Sequence, residues 1–335
     1  MLGMFWRLII LALVLLLSLG LNVCLGEITL SPLQAWLALT DPHAVQSGIV
    51  DMLWQIRLPR LLTALTVGLG LSLSGYLLQA ISRNYLADPY LTGVSSGAGL
   101  AVTMAMITGC DFALLPAAAF VGGLCASLVV AFMARSSPGS AIGFSVTKLL
   151  LAGVAISAIC GSLITLILTL SGNIAKVQGI FFWLAGGISG ASWNVLEAAF
   201  AYVAIGFAIA LAMSKSLRLL SLGPQQAAAL GLNVPLTQWV LLVTAVLVCG
   251  AAVSVSGLVG FVGLIAPYIS RHLFGRDERL HLVACLLVGG ILVLLSDLAA
   301  RTLGQGQELP LGTLLALVGA PFFLYLVLKQ KGEAL

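Results

Sequence analysis

LRLLSLGPQQAAALGLNV, residues 217–234, lies between two long apolar runs but is too polar and too broken to be a membrane span itself. Lys215 and Arg218 stand at its start, Gly223-Pro224 interrupts it, and Gln225, Gln226 and three alanines lead to Gly231. Pro is favoured in the first turn of a helix and Gly just past its end, so the stretch predicts two short helices. Small alanines on the second helix allow another protein's surface to approach closely. The competing reading is an amphipathic helix lying on lipid, which wants basic and bulky apolar residues that this stretch lacks.

The runs on either side set the class. The chain has 335 residues, of which 61% are hydrophobic and only 8% charged, and its mean hydropathy is +1.15. A soluble domain of this length carries about a quarter charged residues. The composition therefore predicts an all-α integral membrane protein, and 37 glycines point to closely packed helices. A net charge of +4 with no basic tail excludes a nucleic-acid partner. Six cysteines, none in a CxxC pair and nearly all in apolar runs, read as buried thiols rather than disulfides or metal ligands. The first 26 residues could form a signal peptide, but they lack an A-x-A site and read better as an uncleaved first span.

A span needs about 20 mostly apolar residues. Candidates lie near 6–26, 61–81, 92–108, 113–134, 148–171, 193–213, 236–255, 259–272, 281–300 and 311–328. The eighth is short and Gly-rich. Basic loops favour the cytoplasm. Lys215 and Arg218 precede the seventh candidate, and Arg271, Arg276 and Arg279 follow the eighth, so both clusters lie inside only if 236–270 crosses twice. Ten spans with both termini cytoplasmic also place Arg7, Arg83, Arg135, Lys148, Lys329 and Lys331 inside and leave Arg57, Arg60, Lys176 and Arg301 outside. Residues 217–234 then face the cytoplasm. Nothing resembling a linker divides the chain, so residues 1–335 read as one membrane domain with short cytoplasmic helices at about 215–234.

Several chemistries are missing. There is no GxxxxGK[ST] phosphate loop and no HExxH, and SVTK (145–148) is an accidental Ser-x-x-Lys match at a span entrance. Residues 61–82, 149–175 and 219–270 contain no Asp, Glu, Lys or Arg. Proton-coupled carriers and membrane enzymes bury ionisable groups in mid-span. An uncharged path suggests a large substrate and an external energy source, and makes 217–234 a docking element for a soluble ATPase. An ion-coupled secondary transporter and a membrane scaffold are the rival readings.

Five ordered stretches carry a family resemblance: RLPRLLTALTVGLGLSLSGYLLQAISRNYLADPYLTGVSSGAGLA (57–101), LLLAGVAIS (149–157), LSLGPQQAAALGLNV (220–234), GLVGFVGLIAPYISRHLFGRD (257–277) and ELPLGTLLALVGAPFFLYLVLK (308–329). They resemble the permeases of ABC importers for iron-siderophore, haem and cobalamin. Tyr85 departs from the family, which more often has Pro there. The resemblance implies a homodimer of ten-span permeases in the inner membrane, like the cobalamin-importer permease. It also implies two ATP-binding cassette subunits, which hold the ATP and Mg, and an extracytoplasmic binding protein. On this resemblance the chain itself is expected to hold no cofactor and not to be an enzyme. The resemblance further implies that Leu222, Gln225, Gln226, Ala228, Leu230 and Gly231 contact the ATPase. Arg57, Arg60 and Arg301 would meet acidic residues of the binding protein. Asn84 and Leu86, with Val146 and Thr147, would form a cytoplasmic gate. Iron-siderophore is the leading cargo, with cobalamin and haem as alternatives. Met104, Met106, Phe181, Phe182 and Trp183 are candidate pathway residues, although Met and aromatics at such positions are more often packing.

Overall fold

The structure is a computed structural model, and it describes residues 2–26, 28–135, 145–188, 190–275, 277–304 and 307–332. Arg276 and the side chains of Lys329 and Lys331, counted above for orientation, lie outside the described residues and side chains.

All described regular structure is helical. Helix α1 (Leu2–Cys24) is followed by two short helices, α2 (Pro32–Thr40) and α3 (Ser47–Asp51), and a π-helical turn, Met52–Arg57. Next come α4 (Leu58–Ser82), α5 (Val94–Thr108), α6 (Leu115–Met133), α7 (Val146–Leu170), α8 (Ile174–Ala185) and α9 (Trp193–Ala212). The remainder are α10 (Ser214–Ser221), α11 (Pro224–Ala229), α12 (Val234–Ser256), α13 (Val262–Phe274), α14 (Glu278–Thr302) and α15 (Leu311–Gly332). Seven helices are long and apolar enough to cross a membrane, namely α1, α4, α6, α7, α9, α12 and α14, while α5, α8 and α15 contribute shorter apolar stretches.

Contacts between helix ends define two ends of the bundle. At the near end Arg7 donates to the Leu273 carbonyl, Tyr76 to Glu278, and Arg279 reaches Ser214. This end joins the start of α1 to the ends of α4, α9 and α13 and the start of α14, and it carries α10 and α11. At the far end Arg57 reaches the carbonyls of Val23 and Cys24, and Arg301 reaches Asn22. The Trp193 indole donates to the Trp54 carbonyl there (3.1 Å). The path from α12 through α13 leaves the near end and returns to it, as the basic clusters require.

Close glycine packing explains why α4 is almost wholly enclosed. A Cβ on Gly68 would overlap the backbone of Gly289 in α14, and one on Gly75 would overlap the Gly263 carbonyl in α13. With hydrocarbon on both sides of the comparison, such close backbone approach is what holds membrane helices together.

The weak eighth span has a physical cause. Helix α13 has 13 residues, about 20 Å at 1.5 Å per residue, too short for a ~30 Å hydrocarbon core. The rest of that passage, 257–261, is non-helical. Such backbone is tolerated at membrane depth only inside protein, and Gly257, Val259 and neighbouring segments are buried. Pro267 within α13 removes the N–H that would serve the Gly263 carbonyl. The buried Gln79 amide of α4 donates to that carbonyl instead (3.4 Å).

Helix α8 falls in a stretch assigned no element from sequence. Asn173 caps it by accepting from the Lys176 N–H (3.2 Å). It starts at the far end, where the Lys176 ammonium donates to the Ile107 carbonyl (2.7 Å). It ends at Gly186 (φ 76°), and Gly187 donates to the Ser256 carbonyl (2.8 Å) at the end of α12. Twelve residues reach only partway across a bilayer, so α8 leaves the crossing parity unchanged.

Candidate functional site

The near end presents the first candidate surface. In α10, Ser214, Leu217 and Leu220 are buried, which fastens this helix to the bundle. Gly223 adopts φ 115°, a region open to glycine, and turns the chain so that Pro224 can start α11. Only Ala227 of α11 is buried. The helix ends in a Schellman motif: Gly231 (φ 86°) donates to the Ala228 carbonyl and Leu232 to that of Ala227. Leu222 is 50% and Leu230 61% exposed, and Gln225, Gln226, Ala228 and Gly231 are exposed beside them. Two large leucines open to water at the rim of a membrane protein, on a rigidly capped element, make a surface suited to contact with another protein.

The loop 83–93 adjoins this surface. Arg83 closes α4 in the left-handed conformation (φ 50°), and its guanidinium lies over Gly223. Asn84 accepts from the Leu86 N–H (2.9 Å), an Asx turn. The Tyr85 ring lies under the Arg271 guanidinium, 3.9 Å from its centroid. Tyr85, the departure from the family pattern, therefore ties this loop to α13. The loop then runs back into the bundle, where Ala87, Pro89 and Thr92 are buried. A Cβ on Gly153 of α7 would overlap the Leu91 carbonyl. Val146 and Thr147 stand at the start of that same α7. They are partly buried and exposed, respectively, and Ser145 caps the helix by accepting from the Lys148 N–H (3.4 Å). Capping accounts for the serine of SVTK.

At the far end the structure brings Arg57, Arg60 and Arg301 together, but turns them inward. Arg57 is 6% exposed and donates to the carbonyls of Val23, Cys24 and Ile28. Arg60 forks onto Asp297 through Nε and Nη2 (3.0 and 2.9 Å) and reaches Glu308 through Nη1. Arg301 pairs with Asp297 (3.1 Å) and donates to Asn22 (2.6 Å). Asp297 is fully buried. Free docking charges at these three positions do not describe this conformation. The arginines instead staple α1, α4, α14 and the 308 segment together. Sequence reasoning gave Asp297 and Glu308 no role, although an acid four residues before Arg301 on one helix was a readable signal.

Beside this cluster lies a cavity of about 690 Å³ between the α5–α6 turn, α8, the start of α9, the end of α12 and the segment before α15. Phe182, Trp183 and Met106, three of the candidate pathway residues, line it, whereas Phe181 and Met104 do not and are exposed. No group of three or more potential metal ligands occurs among the described residues.

A polytopic helical membrane protein with a rigid soluble-facing element at one end and a chamber at the other has the form of a transport subunit. The comparisons give it a family. A model of the FecCD transport family matches residues 10–329, and the chain belongs to that family. It is 35% identical to the hemin transport system permease HmuU of Yersinia pestis, covering 97% of this chain and 95% of that protein. It is 37% identical to the cobalamin import system permease BtuC of Halobacterium salinarum, covering 90% and 81%. The Fe(3+) dicitrate permease FecC of Escherichia coli is 35% identical, covering 97% of both. A solved structure described as an inward-facing ABC transporter of metal-chelate type superposes with TM-score 0.83 at 34% identity, over 96% of this chain and 99% of that one. The chain is thus the multi-pass permease of an ABC importer for a metal chelate, haem or cobalamin, and does not itself hydrolyse ATP.

Proposed function

We propose that this permease imports a ferric siderophore as a homodimer in the inner membrane, with the near end and both termini cytoplasmic. Two ATPase subunits, which carry the ATP and magnesium, seat on α10–α11. The observation carrying this reading is the exposed set Leu222, Gln225, Gln226, Ala228 and Leu230 around buried anchors Leu217, Leu220 and Ala227. ATP-driven closure of the ATPases moves α10–α11. Arg83, seated over Gly223, passes the displacement to the 83–93 loop. Asn84 and Leu86, with Val146 and Thr147, open and close the cytoplasmic mouth in this scheme. The extracytoplasmic binding protein docks on the far end. Arg57, Arg60 and Arg301 shape that surface from within, and Glu308, with its side chain 43% exposed, is presented on it. The test is co-purification of the ATPase with Gln225→Glu/Gln226→Glu permease. Loss of the ATPase with retained thermal stability is expected; stoichiometric retention overturns the assignment.

A further inference from the structure

A second cavity, of about 660 Å³, opens on the outer flank of the bundle at the near end. It is lined by Leu128, Val129, Ala131 and Phe132 of α6, by Arg135 just past that helix, and by Trp239 of α12. Helix α6 returns to the near end, because α5 before it runs to the far end, where the Ile107 carbonyl accepts from Lys176. Helix α12 starts at the near end, directly after α11. Toward the far end the two helices touch closely, since a Cβ on Gly250 would meet the Phe120 ring at 3.4 Å. The groove occupies their near-end turns.

Its walls face outward. Leu128, Val129 and Phe132 are exposed, as are Leu236 and Val243, which lie three residues before and four after Trp239 on one face of α12. In a chain that spans a membrane, such a surface meets hydrocarbon. The mouth differs from the walls. Arg135 is exposed, and its guanidinium lies over the Trp239 ring, 6.0 Å from the centroid. Among the described residues it forms no ion pair. Leu128 stands seven residues before Arg135, about 10 Å along a helix axis. The groove therefore runs from the headgroup level, where Trp rings and long cationic side chains settle, into the acyl region.

We propose that this groove is a binding site for one anionic glycerophospholipid of the leaflet at the near end. Its phosphate sits on Arg135, and an acyl chain lies against Leu128, Val129, Phe132 and Trp239. A guanidinium presents a fork of donors that matches a phosphate bidentately, and basic pockets between membrane helices suit phospholipid headgroups. A zwitterionic headgroup carries its own ammonium, which already neutralises the phosphate, so it gains less from Arg135. The chain gains dispersion contacts that an unfilled groove would forfeit. A second copy of this chain fits the groove less well. A two-fold contact sets the same patch against itself, which would bring two Arg135 guanidiniums into one apolar interface.

The experiment uses the full-length permease in lipid discs of phosphatidylethanolamine. Small fractions of either phosphatidylglycerol or phosphatidylethanolamine with brominated chains are added as quenchers. The Trp239 signal is the fluorescence of the wild type minus that of Trp239→Phe. Brominated phosphatidylglycerol is expected to quench it at about fivefold lower mole fraction than brominated phosphatidylethanolamine, a gap of roughly 1 kcal/mol. Arg135→Gln should abolish the gap and Arg135→Lys should keep part of it. Lys215→Gln, which removes another exposed cation at the same end, should leave it intact. Val129→Phe fills the groove without touching the guanidinium and should remove the quenching itself. In detergent, added phosphatidylglycerol should raise the apparent Tm of the wild type more than that of Arg135→Gln, because a bound ligand stabilises the folded state. Equal quenching by the two lipids overturns the proposal. So does a preference that survives Arg135→Gln, or one that Lys215→Gln reduces equally, which would mark a general surface attraction. Absence of Trp239 quenching by any brominated lipid would mean that protein covers the groove, and it overturns the lipid occupant.

Discussion

Replacing Asp297 by Ala isolates the far-end network, because one fully buried carboxylate serves two guanidiniums. Arg60 loses contacts at 2.9 and 3.0 Å, and Arg301 loses one at 3.1 Å. Arg60 keeps Glu308, and Arg301 keeps Asn22 and a 3.5 Å contact to the Leu25 carbonyl. Removing one member of a buried pair costs about 3–5 kcal/mol, since the remaining charge stays buried and unpaired. The surviving contacts favour the lower end, about 3 kcal/mol, reinforced by repulsion between the two arginines. At roughly 2–4 °C per kcal/mol for chains of 150–250 residues, and less for longer ones, the apparent Tm should fall by up to about 6–12 °C. The assay is thermal unfolding of detergent-purified permease, followed by retention of the monodisperse peak on size-exclusion chromatography. Asp297→Ala combined with Arg60→Met should cost less than the sum of the single changes, because the two side chains share one interaction. A wild-type Tm for Asp297→Ala would refute the network. A wild-type Tm for Arg60→Glu with lost binding-protein docking would restore Arg60 as a free docking charge.

Other outcomes follow from particular contacts. Gly75→Ala drives a methyl into the Gly263 carbonyl and should cost about 1–3 kcal/mol as overpacking. Gly161→Ala in α7 meets nothing within 4 Å and should leave Tm unchanged or raise it slightly; equal losses in the two variants would contradict the packing account. Gly223→Ala must hold φ 115° with a side chain, so ATPase co-purification should fall while the bundle keeps its Tm; undiminished co-purification refutes the hinge role. Tyr85→Ala removes the stack on Arg271, worth about 0.5–2 kcal/mol. Protease nicking of the 83–88 segment should rise about two- to tenfold, with Tyr85→Phe restoring protection; equal nicking in all three proteins would remove the stack's role.

Much of the fold was legible because membranes simplify the physics. Long uncharged runs must be helices, since no water is available to satisfy bare backbone. The basic clusters at Lys215/Arg218 and Arg271/Arg279 fixed crossing parity, and the helix-end contacts agree with it. Gly223-Pro224 and Gly231 marked α11 because turn and cap geometry is a local property of those residue types. Tertiary structure decided the rest. Helix α8 escaped notice because the twelve residues between Asn173 and Gly186, broken by Lys176 and Gln178, are too few to signal a span. The non-helical passage 257–261 depends on neighbours that shield it, and the Gly263 carbonyl depends on Gln79, 184 residues away in sequence. The arginines show the same division most sharply. Composition and position placed Arg57, Arg60 and Arg301 together at one end. Whether they face water or the bundle interior depended on Asp297, Asn22 and the carbonyls of the Val23–Ile28 segment, which only the packing of α1 and α14 against α4 brings within hydrogen-bonding reach.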